Sequence, residues 1–117
     1  MAYSESLAVR VRCALTGRLG IREKKMFGGV GFLLHGNMLV GIWKTSLIVR
    51  LAPHQAEAAL AGSHVVPFDI TGRPMKGWVM VEPDGLETDE QLADWIQQSD
   101  GFVSMLPRKK KYIDRSD

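Results

Sequence analysis

The sequence predicts an α+β fold: an antiparallel sheet with one helix before it, one within it and one after it. Three observations carry this. Apolar residues recur at helical spacing near both ends of the chain. Between them lie short runs that alternate apolar and polar or small residues. The gaps between those runs are too short for the helical crossovers that parallel strands require. The 117 residues, 45% apolar and 24% charged, suit a single domain that buries about two-thirds of its surface without disulfides or metal.

Taken in order, residues 4 to 18 read as the first helix. Leu7, Ala8, Val11, Ala14, Leu15 and Leu19 fall in one sector at 100° per residue, and Gly20 supplies a stop. Val9 and Cys13 form a second, smaller apolar stripe on the opposite side. Four strands follow, at residues 23–27, 30–35, 38–43 and 47–51. Gly36-Asn37 marks a tight hairpin turn and Lys44-Thr45-Ser46 another. Alternation places Val30, Phe32 and Leu34 on one face, with Leu47, Val49 and Leu51 likewise. Gly31 and Gly41 interrupt the other face, which indicates close approach of another backbone or a strong bend. Pro53 opens a short helix over residues 54–61, ended by Gly62. Residues 67–70 and 78–81 read as a two-strand part joined by Thr71-Gly72-Arg73-Pro74-Met75-Lys76-Gly77. Thr88-Asp89-Glu90-Gln91 fits a capping box for the last helix, 88–106. Its stripe is Leu92, Trp95, Ile96, Phe102, Val103 and Leu106, with Ser99 the one polar member, and Pro107 ends it. Residues 1–107 are thus read as one domain and 108–117 as a basic flexible tail.

Charge is unevenly distributed. Residues 1–50 carry eight basic and two acidic side chains, residues 51–106 two basic and nine acidic, and the last eleven five basic and two acidic. Such asymmetry marks either a nucleic-acid surface or two halves that face each other, or a second copy, with opposite potentials. The second reading is favoured, because outside the tail no cluster exceeds three basic residues.

A search for chemistry finds no catalytic set. Cys13 is the only cysteine, so no intrachain disulfide or cysteine-based metal site can form. His35, His54 and His64 lack metal-ligand spacing, and the serines lack a nucleophile elbow. Gly28-Gly29-Val30-Gly31 leads into a strand rather than a helix, so a phosphate loop is disfavoured. The acidic run from Glu82 to Glu90 suits a helix N-terminus. Trp43, Trp78 and Trp95 are read as core packing. No cofactor, metal or enzymatic activity is expected. Met26 to Trp43 holds no charged residue, but its five glycines and central Gly36-Asn37 make it a hairpin rather than a membrane helix. No signal peptide begins the chain, so a cytoplasmic location is expected.

Lys24-Lys25-Met26-Phe27-Gly28-Gly29-Val30-Gly31-Phe32, Gly36-Asn37-Met38, Arg50, Gly72-Arg73-Pro74-Met75-Lys76-Gly77-Trp78-Val79 and Leu106-Pro107 resemble, in order and spacing, the TfoX/Sxy N-terminal domain family. The resemblance spans Leu7 to Pro107. It implies a two-layer, secretion-chaperone-like α+β domain. It also implies a role related to bacterial regulators of competence for DNA uptake, which are thought to act with the cyclic-AMP receptor protein. Full-length relatives carry a second, helical domain, and this chain ends shortly after the first. The family offers no catalytic residues to carry over.

The expectation is therefore a non-enzymatic interaction or regulatory domain whose partner is a protein such as a transcription regulator. Arg73 and Lys76 are its candidate contact residues, on a loop stiffened by Pro74 and bounded by Gly72 and Gly77. Displayed outward they would meet the partner; paired internally they would stabilise the fold; the sequence favours neither. The alternative is a nucleic-acid-binding module that uses the basic first half and Arg108, Lys109, Lys110 and Lys111. A second copy is also an expected partner, because an isologous dimer would satisfy both the opposed charges and the Val9/Cys13 stripe.

Overall fold

A computed structural model of the chain describes residues 3–26, 28–68 and 76–108. The elements are α1 (Glu5–Ala14), β1 (Ile21–Met26), β2 (Gly29–Leu34), β3 (Asn37–Trp43), β4 (Ser46–Arg50), α2 (Pro53–Leu60), β5 (Val65–Pro67), β6 (Trp78–Val81) and α3 (Asp89–Val103), with one short 3₁₀ turn at Pro83–Gly85. All six strands form a single antiparallel sheet in the order β1-β2-β3-β4-β6-β5. The expected two-strand part is thus not separate: β6 inserts between β4 and β5, pairing Leu47 with Val81 and Arg50 with Trp78.

One sheet face carries the core. Val30, Phe32, Leu34, Val40, Ile42, Leu47, Val49, Leu51, Val79 and Val81 pack there beneath Leu7 and Val11 of α1, Ala56 of α2, and Leu92, Ile96 and Val103 of α3. The helices lie on this face only, which gives two layers. At roughly 1.5–3 kcal/mol per fully buried large aliphatic side chain, this layer supplies the main drive to fold. Among the described residues, no helix is long and apolar enough to cross a membrane.

Each helix end has a physical cause. Ser4 Oγ accepts from the Leu7 N–H at 3.2 Å to start α1. Thr88 and Gln91 cap α3 reciprocally, at 3.1 and 3.0 Å, as the sequence predicts. Helix α1 stops four residues earlier than its apolar spacing implies, because the chain turns at Leu15–Gly17. Leu19 therefore leaves the core and stands 81% exposed. Helix α3 passes through Gly101 and ends at Val103, three residues before the expected limit.

Two local features depart from the sequence reading. The first hairpin turns on His35-Gly36, both with positive φ (50° and 86°), so Asn37 is the first residue of β3. Its amide instead donates to the Pro107 carbonyl at 2.9 Å. In β3, Phe32 faces Val40 and Leu33 faces Met38, so Leu39 is an extra, bulged residue. The carbonyl of Leu39 accepts from the buried Ser99 hydroxyl at 2.8 Å, which accounts for the one polar member of the α3 stripe.

Candidate functional site

Opposite charges of the two sequence halves meet inside the domain. Arg10 of α1 pairs with Asp89 at the start of α3 at 3.2 Å, and Arg18 pairs with Asp100 near the end of α3 at 2.8 and 3.0 Å. Arg12 makes two bonds to Glu23 of β1, at 2.8 and 2.7 Å. The guanidinium of Arg12 holds the Glu23 carboxyl below its ordinary range, chiefly through these bonds. Three arginines of the basic half are thereby neutralised within the chain.

Arg50 is different. It ends β4, its partly buried guanidinium lies 5.4 Å from the Trp78 ring centre and 6.0 Å from that of Phe102, and no carboxylate among the described residues pairs with it. Burial lowers its proton affinity below that of an ordinary arginine. Phe68 packs against the other partner of this stack, Trp78, with ring centres 5.9 Å apart. Trp78 and Trp43 are thus half-buried rings beside cations, Lys44 Nζ standing 4.6 Å from Trp43. Neither belongs to the core that the sequence assigned to them. Trp95 does pack against that core.

The strand order brings two of the predicted cations, Lys76 and Arg108, to the same end of the sheet as Arg50. Lys76 is exposed and directly precedes Gly77, whose carbonyl accepts the Leu51 N–H at 2.7 Å just beyond Arg50. Gly77 has φ +83°, and a Cβ there would stand 2.9 Å from the Leu51 carbonyl, so a glycine fits this clamp. Arg108 is exposed and follows Pro107, which is bonded to Asn37 at the start of β3. The start of β3, the end of β4 and the start of β6 all lie at one end of the antiparallel sheet. Lys76, Arg50 and Arg108 therefore share that end, together with Phe102 at the last turn of α3. The remaining predicted contact residues, Arg73, Lys109, Lys110 and Lys111, lie outside the described residues, as does Asp69.

Arg50 is the residue that reasoning from the chemistry of the sequence missed. Its one signal was a lone cation in the apolar run Leu47-Ile48-Val49-Arg50-Leu51, where alternation turns it away from the core. Elsewhere the chemistry is sparse. Among the described residues no three His, Cys, Asp or Glu side chains gather as a metal group. A shallow hollow of about 380 Å³ between α2 and α3, with Gln55, Ala59, Val65, Trp95 and Gln98 in its walls, carries no titratable group. Cys13 and Val9 are exposed on α1.

Comparison with known proteins adds one match. The family model described as TfoX N-terminal domain covers residues 14–102, which include every strand, α2 and most of α3. No curated protein matches the chain.

Proposed function

Because the chain belongs to the TfoX N-terminal domain family, we propose that it is a competence-related regulatory domain that acts in the cytoplasm through protein–protein contacts and not through catalysis. The observation that carries this reading is the cationic, aromatic end of the sheet. There a partly buried Arg50, an exposed Lys76 and an exposed Arg108 stand together with Trp78 and Phe102. Arginine and tryptophan are the side chains over-represented where protein interfaces concentrate their energy. Phe68 and Lys76 both lie at this end, and the proposed surface includes Arg73, which falls between them in the sequence and outside the described residues.

Charge reversal tests it. Arg73→Glu with Lys76→Glu should leave the melting temperature nearly unchanged and abolish capture of the partner from an extract of the native bacterium. Loss of stability with capture retained would mean that the two cations serve internal pairing. A reproducible turnover of a metabolite, abolished by one polar substitution, would overturn the non-enzymatic reading.

A second reading, nucleic-acid binding, is favoured by the convergence of Arg108 with Arg50 and Lys76. It requires affinity that falls steeply with salt, because each neutralised phosphate releases counterions. A mobility-shift titration of DNA and RNA at low and high salt decides it; no binding at low salt removes this reading.

A further inference from the structure

The first fifty residues hold five arginines; Arg10, Arg12 and Arg18 bind carboxylates of the same chain, Arg22 stands exposed on the edge strand β1, and Arg50 is partly buried. Arg50 has aromatic rings beside it, and no carboxylate among the described residues pairs with it. A guanidinium is planar. Rings beside it use its charge without taking the place of a hydrogen-bond acceptor, no hydrogen bond among the described residues occupies its N–H donors, and those donors match a carboxylate in pairs. Keeping a cation partly desolvated without a counter-ion is unfavourable, and the lowered proton affinity of Arg50 has that cause. The arrangement is that of a cation held ready for an anion from outside.

We propose that the Arg50–Trp78–Phe102 stack is a carboxylate-binding site that anchors an acidic, apolar-flanked segment of a protein partner. This rests on the reading of the domain as a protein-interaction module and names the chemistry of its partner. The walls select the ligand. Phe68, Trp78 and Phe102 are apolar, and a monoanionic carboxylate is desolvated against them at lower cost than a phosphate of higher charge. Lys76, next to the clamp at Gly77, supplies a second, exposed cation for an adjacent acidic residue. Trp78, the ring nearest the cation, is already in contact with Arg50 and Phe68, which leaves less of it for a stacked base.

The test is a titration of the full ¹⁵N-labelled chain, observing the Arg50 Nε–H and the Trp78 indole N–H. The probe is an acetylated, amidated hexapeptide of alternating Glu and Leu. Saturable shifts at both groups are expected, with affinity lowered about tenfold or more by Arg50→Lys, which keeps the charge but loses the paired donors. The same peptide with Gln in place of Glu leaves the protein untouched and should not shift either group. Equal binding of the Gln peptide would overturn the proposal, as would tighter binding of inorganic phosphate or of a thymidine oligonucleotide at Arg50. So would a large gain in peptide affinity on Asp69→Asn, since it would show that Arg50 already has a counter-ion. If Arg73→Glu with Lys76→Glu loses partner capture while the Glu peptide never reaches Arg50, the interaction reading stands and this proposal alone fails.

Discussion

Gly29 and Gly31 lie two positions apart on β2, yet a side chain at each would meet a different obstacle. A Cβ at Gly29 would collide with the Ile42 carbonyl, part of the neighbouring backbone. A Cβ at Gly31 would stand 2.8 Å from Met38 Sδ and 3.1 Å from Met26 Cε, the far ends of flexible side chains. Backbone in a paired sheet cannot yield, whereas methionine can change rotamer. Gly29→Ala should therefore cost roughly 1–3 kcal/mol or more. Gly31→Ala should cost under about 1 kcal/mol, because alanine also restricts the unfolded chain. Urea unfolding midpoints check the order; a Gly31 variant less stable than the Gly29 variant would contradict it. The sequence predicts another backbone or a strong bend against Gly31 and Gly41; the atoms nearest to both are instead methionine side-chain ends. The sequence does not show that they sit opposite each other with Met38 over both, because side-chain filling of that kind depends on register and not on composition. Arg50 was obscure for a similar reason: its partners, Trp78 and Phe102, are 28 and 52 positions away in the chain.

Among elements, the long amphipathic ones were legible and the short ones were not. Helix α3 declared its start through Thr88 and Gln91 and its buried face through Leu92, Ile96 and Val103. Strand β5 has three residues, too few for alternation to appear, and Pro67 closes it where the sequence suggested that a strand began. The hairpin after β2 was expected at the right place but one residue late, since His35 takes the left-handed conformation and Asn37 serves Pro107. The contact of α1 with β1 carries a pH dependence. Glu23 has a native pKa below its ordinary 4.5, first through its hydrogen bonds from Arg12. A depressed carboxyl contributes stability that is present above the unfolded value and lost as pH falls through the native one. Arg12→Gln removes this contribution. The melting-temperature gap between the wild-type protein and this variant should be positive near neutrality and close as pH drops below 4.5. The pair is largely exposed, so the gap should be small and shrink with added salt. A gap that persists unchanged into strong acid would assign the effect of the substitution to packing.

On the scale of the whole molecule, the charge asymmetry of the sequence is divided. Part of it is spent joining α1 and the following turn to α3, through Arg10–Asp89 and Arg18–Asp100. Another part, Arg50, is joined at one end of the sheet by Lys76 and Arg108, while Arg22, Lys24 and Lys25 lie on the edge strand β1 and Lys44 at the opposite end. Composition disclosed the imbalance, but only strand order decides which cations become neighbours. The same strand order has a mechanical consequence. Strand β3 is tied at both ends to opposite extremities of the described chain: at one end the Ser4 N–H donates to the Lys44 carbonyl at 2.7 Å, beside the Tyr3–Lys44 bridge. At the other end Asn37 holds Pro107. Tension applied between residues 3 and 107 would therefore run along β3, over roughly 20 Å. The two tethers carry this load in series, one backbone hydrogen bond at Lys44 and one side-chain hydrogen bond at Asn37, so they yield before the ladder bonds that flank β3 are strained. Stretched between those points in an optical trap, the domain should first lengthen in a small low-force step, part of which Asn37→Ala removes, and only then unfold; a single rupture at high force would contradict this.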